Sequence, residues 1–115
     1  MIADVAQEAL RERLLQEQGR LHDQIGAAQR AAQADGEPRD GDGTQAYEQD
    51  RAVIIASGLR TALEEIERAL AKLDDGTYGK CDHCAAEIPL ERLQVLPQAT
   101  LCVRCKSKRA KGRLP

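Results

Sequence analysis

Four cysteines near the C-terminal end constrain this chain more than any other feature. They form two Cys-x-x-Cys pairs, Cys81 with Cys84 and Cys102 with Cys105, and seventeen residues separate the pairs. Each pair lets two thiolates from one tight turn face a common point, and two such pairs complete the tetrahedron that Zn²⁺ prefers. The chain has no other cysteine, so no thiol is left over. We therefore predict that these four cysteines bind a structural zinc ion.

Two disulfides and a thioredoxin-like redox motif are the alternatives to zinc. Residues 1–21 are charged throughout and lack the apolar segment of a signal peptide. No run approaches the roughly 18 apolar residues of a transmembrane helix. We therefore expect a cytoplasmic protein without a membrane contact, in which reduced thiols favour zinc over disulfides. The redox motif needs a βαβ context, which the sequence lacks.

Two long helices are predicted before the cysteines, over residues 3 to about 33 and about 45 to 73. Their apolar residues recur at spacings of three, four and seven, which places them on one stripe of each helix. The stripe residues are Leu10, Leu14, Leu21, Ile25, Ala28 and Ala32 in the first helix, and Ala52, Ala56, Leu59, Leu63, Ile66, Leu70 and Leu73 in the second. The triplet Val53-Ile54-Ile55 is too wide for such a stripe, so at least one of its members must face away. It either covers a bend in the helix pair or contacts a partner.

The segment between these helices, residues 35–44, interrupts the helical pattern. It contains three glycines and one proline, which do not continue a helix, together with three aspartates and one glutamate. Two helices joined by so short a turn pack side by side in opposite directions. We therefore predict a mainly α protein in which residues 1–75 form an antiparallel two-helix coiled-coil hairpin with an acidic tip loop at about 35–44.

Residues 76–115 are predicted to form a small four-cysteine zinc-finger module with a basic tail and a short C-terminal helix. Gly76 suits the left-handed conformation that ends a helix, and His83 is expected to be exposed rather than a ligand. Six apolar residues are expected to make a small core: Ile88, Leu90, Leu93, Val95, Leu96 and Leu101. Because so small a core does not fold alone, zinc should supply folding energy.

The two parts differ in charge. Residues 1–75 carry nine Lys and Arg against sixteen Asp and Glu, whereas residues 76–115 carry eight against three. An acidic arm joined to a basic module favours a partner that offers charges of both signs. An ordinary solvated coiled-coil surface explains the acidity of the arm equally well.

The stretch from Leu59 to Lys108 resembles the DksA/TraR family of C4 zinc-finger transcription regulators. The resemblance is carried by residues 70–81 (LAKLDDGTYGKC), Cys84, residues 88–93 (IPLERL), Pro97 and residues 101–106 (LCVRCK). Proteins of this family bind RNA polymerase and insert the coiled coil into its secondary channel, with acids of the tip near the catalytic Mg²⁺. Carried over, the resemblance assigns the tip acids to Asp40 and Asp42. This chain departs from the family's Asp-x-x-Asp-x-Ala tip, since it has Glu-Pro-Arg-Asp-Gly-Asp-Gly at residues 37–43.

The resemblance implies a monomeric, non-enzymatic regulator of transcription initiation that binds RNA polymerase rather than specific DNA sequences. Four thiolates leave zinc no open position for a catalytic water. Two other functions stay open. A zinc-ribbon nucleic-acid-binding protein would use the basic residues 104–113, and a structural coiled-coil adaptor would dimerise through the Ala and Leu seam.

Overall fold

The helical hairpin predicted from the sequence is present. The computed structural model describes residues 4–34 and 43–112. Helix α1 spans Asp4–Ala34 and α2 spans Gly43–Asp75, followed by the short helices α3, Leu90–Val95, and α4, Val103–Ala110. The predicted tip loop extended to residue 44, but α2 already begins at Gly43. Because a helix leaves the first N–H groups of its backbone unpaired, a glycine is tolerated at that end far better than in the interior.

The hairpin gives the molecule an elongated shape. Its principal extents are 59, 32 and 21 Å, and its radius of gyration is 18.1 Å. A compact chain of this length has a radius of gyration of roughly 13 Å. The start of α1 lies beside the end of α2, where Arg11 Nη1 contacts Asp74 Oδ1 at 3.0 Å, so the two helices are antiparallel. No helix in the described ranges has the length and apolar character needed to span a bilayer.

The hydrophobic core lies at the base of the hairpin, where the helix ends meet the cysteine module. Stripe residues of both helices and residues of the module contribute to one cluster: Leu10, Leu14, Leu21, Ile66, Ala69, Leu73, Tyr78, Ile88 and Leu93. Ile88 and Leu93 therefore occupy the core as predicted. Leu90, Val95 and Leu96 do not, since 38, 74 and 37% of their surfaces are exposed. The helices α1 and α2 fill the space that these residues were expected to fill.

Packing becomes thinner away from the base. Ile25, Ala28 and Ala56 are only partly buried, and Ala52 is exposed. All three members of the triplet are exposed, Val53 at 68%, Ile54 at 70% and Ile55 at 51%. Large apolar side chains in this part of α2 therefore lie outside the seam, which is lined mainly by alanine.

The second long helix ends at a glycine in the predicted conformation. Gly76 has φ of 78°, and the backbone N–H groups of Thr77 and Tyr78 donate to the Lys72 carbonyl at 2.9 and 3.1 Å. This is the Schellman arrangement, in which a left-handed residue lets the chain turn back and satisfy the last helical carbonyls. The turn directs residues 77–80 back along the end of α2 toward the first cysteine.

Two long-range hydrogen bonds hold the end of α3 and the loop after it, one from the turn after α2 and one from α1. The buried hydroxyl of Tyr78 donates to the Pro97 carbonyl at 2.8 Å, and Arg13 Nη1 donates to the Gln94 carbonyl at 2.6 Å. Burial raises the pKa of Tyr78 to about 12, so its hydroxyl keeps its proton throughout the physiological range. Residues 94–97 are thereby held against both α1 and the turn after α2.

Candidate metal centre

The four predicted zinc ligands converge on one point. The Sγ atoms of Cys81, Cys84, Cys102 and Cys105 all lie within 4.8 Å of one another, and Cys84 Sγ is 3.8 Å from Cys102 Sγ. Tetrahedral zinc with Zn–S bonds of about 2.3 Å places its sulfurs about 3.8 Å apart. All four cysteines are free thiols, so the disulfide alternative is not realised in this structure. Both the distances and the donor set fit a zinc ion.

The first Cys-x-x-Cys pair lies in a tight turn closed by backbone hydrogen bonds. The Ala85 N–H donates to the Cys81 carbonyl at 3.0 Å, and the Cys81 N–H donates to the Ala86 carbonyl at 2.8 Å. Ala85 has φ of 63°, which is unusual for a residue other than glycine. A β-bridge between Lys80 and Glu87 closes the base of this turn. The turn thus presents two thiols on one side.

The second pair opens helix α4. Cys102 is the N-cap residue, and its Sγ accepts a hydrogen bond from the Cys105 N–H at 3.5 Å. This hydrogen bond is the largest influence that lowers the pKa of Cys102. A helix N-terminus also favours negative charge. The start of α4 therefore suits a thiolate.

The buried thiols differ in how readily they ionise. Burial, together with the neighbouring thiols, raises the pKa of Cys105 to about 12. Burial also opposes ionisation of Cys81, but hydrogen bonds from nearby backbone groups outweigh it and lower the pKa of Cys81 to about 6. Four adjacent thiols resist carrying four negative charges. A divalent cation among them removes that repulsion, which is why such a cluster suits a metal ion.

The predicted site residues fall into two groups. His83 is exposed and does not belong to the cysteine cluster, as expected. Asp40 and Asp42, the predicted tip acids, lie outside the described residues. Within the described ranges the four cysteines form the one group with metal-binding geometry.

An ionic cluster that the sequence reasoning missed connects the first turn to α2. Arg68 binds the Asp82 carboxylate with two hydrogen bonds, Nε to Oδ2 at 3.1 Å and Nη2 to Oδ1 at 3.0 Å. Lys72 Nζ donates to Asp82 Oδ1 at 2.8 Å. Burial, the largest influence on Asp82, favours its protonated form, but Arg68 and Lys72 outweigh it and lower the pKa of Asp82. The sequence contained one signal of this cluster: Arg68 and Lys72 are four residues apart, so their side chains lie on one face of α2.

Comparison with known proteins identifies the cysteine module. The family model described as the prokaryotic dksA/traR C4-type zinc finger matches residues 76–110. The RNA polymerase-binding transcription factor DksA of Escherichia coli K12 is 40% identical over 48 residues, which cover 42% of this chain and 32% of DksA. For DksA the similarity is thus confined to less than half of either chain. Zn²⁺ is the metal of a C4-type zinc finger, and the cysteine geometry fits it.

Two further similarities extend over the hairpin. An uncharacterized protein of Aquifex aeolicus VF5 is 31% identical over 104 residues, 85% of this chain and 72% of that protein. The structure of transcription factor DksA2 from Pseudomonas aeruginosa superposes with a TM-score of 0.77 at 27% identity, over 94% of this chain and 85% of DksA2. The hairpin and the cysteine module therefore occur together in a known fold. On its zinc-finger match, its sequence relatives and its fold, this chain belongs to the DksA/TraR family of C4-type zinc-finger proteins.

Proposed function

We propose that this protein is a non-enzymatic transcription regulator that binds RNA polymerase and modulates initiation through the far end of its hairpin. The observation that carries the proposal is the likeness to transcription factor DksA2 over 94% of the chain, hairpin included. The description of E. coli DksA as RNA polymerase-binding supports the choice of partner. In this proposal residues 1–75 form the arm, residues 76–115 form the module that docks on the polymerase, and the protein acts in the cytoplasm.

The length of the arm supports insertion into a channel. Helices of 31 and 33 residues span about 45–50 Å at 1.5 Å per residue. An arm of this length reaches a buried site while its base stays outside. We propose that the arm enters the secondary channel and brings Asp40 and Asp42 near the catalytic Mg²⁺ or a basic loop beside it. Carboxylate oxygens are preferred Mg²⁺ ligands, so these acids are suited to perturb the site by charge alone.

The test separates binding from the effect on initiation. We expect the purified protein to copurify with RNA polymerase and to change the lifetime of open complexes at sensitive promoters. Asp40→Asn and Asp42→Asn each remove one negative charge and leave the arm intact. We expect at least one of them to bind normally but to lose most of the effect on open-complex lifetime.

Asp23→Asn is the matched control, because Asp23 lies exposed on the side of α1 rather than in the connection between the helices. It makes the same change in charge and should behave as the wild type. If Asp40→Asn, Asp42→Asn and the double variant all retain the full effect, the tip acids have no part in the mechanism. If the wild type fails to bind the polymerase, the proposed partner is wrong.

A nucleic-acid-binding function is the second candidate, because helix α4 exposes a row of cations. Arg104, Lys106, Lys108 and Arg109 all face solvent. Against this function, Tyr78 is buried, so the described part of the zinc module offers no exposed Phe, Tyr or Trp ring on which a base could stack. Phosphate-dominated binding weakens steeply with salt. A gel-shift titration on duplex and single-stranded DNA at low salt tests it, and we expect no complex at micromolar protein.

The proposed regulator acts as a monomer, whereas a structural coiled-coil adaptor acts as a dimer. The hairpin buries Leu10, Leu14 and Leu21 within one chain, so dimerisation is not needed to cover that seam. Sedimentation equilibrium of the zinc-loaded protein distinguishes the two functions. We expect the monomer mass at concentrations up to 100-fold above those of the polymerase assay, and a stable dimer would favour the adaptor.

A further inference from the structure

Lys72 is an unusual residue in the last turns of α2. It is 2% exposed, and among the described residues it is the one charged side chain that is buried. A buried ammonium group is costly unless hydrogen bonds and an opposite charge compensate it. The position therefore requires specific partners.

Those partners flank the first metal ligand on both sides. Lys72 Nζ donates to the backbone carbonyl of Lys80 and to Asp82 Oδ1 at 2.8 Å, and Cys81 lies between these two residues. The carbonyl of Lys72 itself accepts from Thr77 and Tyr78, in the turn that leads to Cys81. One residue of α2 thus holds the chain before and after Cys81.

The charge of Lys72 also suits the metal centre. Zinc with four thiolates carries a net charge of −2, and Asp82 adds a further negative charge beside it. The cations Lys72 and Arg68 contact Asp82 from α2 and offset this excess. Groups that orient and neutralise metal ligands from outside the coordination shell typically change metal affinity by about 10–100-fold.

We propose that Lys72 is a positioning residue for the zinc site: its ammonium group holds the backbone carbonyl before Cys81 and the Asp82 carboxylate after it, and it thereby couples zinc binding to the order of the hairpin base. This inference concerns only the metal centre and α2. It does not depend on the proposed binding to RNA polymerase, and its test uses no transcription assay.

The alternative is that Lys72 forms a buried ion pair that merely stabilises the fold. The two roles differ in their response to metal. Zinc binding stabilises the native state by an amount that grows as the dissociation constant falls. Because the contacts of Lys72 are made with the folded module, either role diminishes the increase in melting temperature that zinc produces. Only a positioning role also changes the ligand geometry, which the ligand-field spectrum of bound Co²⁺ reports.

The main experiment compares wild type with Lys72→Met, which retains the apolar length of the side chain and removes its charge. Zinc affinity is measured by competition with a chromophoric chelator, and melting temperature by far-ultraviolet circular dichroism with excess zinc and with EDTA. We expect Lys72→Met to lose roughly 10–100-fold in zinc affinity. We also expect a smaller zinc-induced increase in melting temperature and a shifted ligand-field spectrum of the Co²⁺-substituted protein.

Arg11→Met is the matched control. Arg11 of α1 forms an ion pair with Asp74, which lies in the last turns of α2, as Lys72 does. Both side chains are exposed, and neither is adjacent to a cysteine. This variant removes an ion pair of the hairpin base and should keep the zinc affinity and Co²⁺ spectrum of the wild type. An unchanged Co²⁺ spectrum in Lys72→Met would overturn the proposal, because a lower zinc affinity without it is what a merely structural ion pair produces.

Two further variants make the test decisive if Lys72→Met does not fold. Arg68 is half exposed, so Arg68→Met removes one of the two cations that contact Asp82 without creating a buried cavity. Asp82→Asn removes the negative charge that Arg68 and Lys72 share. A lower zinc affinity together with a shifted Co²⁺ spectrum in both supports the proposal, and the wild-type Co²⁺ spectrum in both refutes it. If Lys72→Met and Asp82→Asn fold, their double variant should lose less affinity than the two single losses added together, because both act through one contact.

Discussion

The hydrogen bond between Tyr78 and Pro97 allows a quantitative test of how the loop after α3 is held to the turn that follows α2. Tyr78 is 6% exposed, and its hydroxyl donates to the Pro97 carbonyl at 2.8 Å. Tyr78→Phe keeps the ring in the core and removes only the donor. The hydrogen bond contributes about 1 kcal/mol net, and leaving a buried carbonyl unpaired costs about 1–3 kcal/mol. We therefore predict a loss of about 1–3 kcal/mol in the free energy of unfolding.

The assay is thermal or urea unfolding of the zinc-loaded protein, followed by circular dichroism at 222 nm. For a domain of about this size, 1 kcal/mol corresponds to a shift of about 4 °C in melting temperature, so Tyr78→Phe should melt about 4–12 °C below the wild type. A variant with wild-type stability would refute the reasoning, because it would mean that water satisfies the Pro97 carbonyl equally well.

The raised pKa of Tyr78 gives the same side chain an independent signature. Its folded pKa of about 12 lies above the ordinary value of about 10, so folding favours the protonated phenol. This contribution is fully present below about pH 10 and is lost as the pH rises toward 12. Absorbance at 295 nm should show a tyrosine titration near pH 12 in the wild type, and Tyr78→Phe should lack it. A single titration near pH 10 in the wild type would contradict the buried environment.

Three further predictions concern the base of the hairpin. In urea unfolding, Leu14→Ala should lose about 2–5 kcal/mol of stability, because Leu14 is 1% exposed. Its neighbour Leu15 is 49% exposed, so Leu15→Ala should change stability by less than about 0.5 kcal/mol. Gly76→Ala should cost about 1–2 kcal/mol because of its φ of 78°. In the same assay Gly58→Ala should add about 0.5–1 kcal/mol, since a Cβ there meets no atom within 4 Å. EDTA should unfold residues 76–105, while most of the ellipticity at 222 nm should remain. The melting temperature of the hairpin should also fall, because the hairpin and the module share one core. An unchanged hairpin melting temperature would show that the two parts are independent.

The sequence predicted those parts of the structure that depend on local spacing. Heptad periodicity alone brings α1 and α2 together, and the Cys-x-x-Cys spacing alone brings two thiols to one turn. The bounds of α1 and α2 accordingly differ from the prediction by only one or two residues. The four cysteines meet as predicted, because tetrahedral coordination leaves few arrangements of two such pairs.

The sequence did not predict features that depend on how the module meets the hairpin. Hydropathy placed six apolar residues of the module inside a separate core, but only Ile88 and Leu93 are buried against α1 and α2. Leu101 is partly buried, and Leu90, Val95 and Leu96 stay at the surface. Hydropathy likewise predicts that a lysine such as Lys72 lies at the protein surface. Lys72 is buried because Asp82 and the Lys80 carbonyl compensate its charge, and that compensation exists only in the folded chain.

The arrangement at the base explains how a metal centre contributes to a function proposed for the opposite end of the molecule. An arm of about 45 Å magnifies any rotation at its base, so a 10° pivot moves its far end by about 8 Å. Contacts between the helices and the module oppose such a pivot: Arg13 with Gln94, and the Arg68 and Lys72 pairs with Asp82. Asp82 is adjacent to Cys81, and Gln94 lies in the segment between the two cysteine pairs. The binding free energy of a structural zinc site is also folding free energy, so zinc stabilises these contacts together with its own ligands. Farther from the base, Ile25, Ala28 and Ala56 are only partly buried, and accurate placement of the tip therefore depends on the base rather than on packing along the arm.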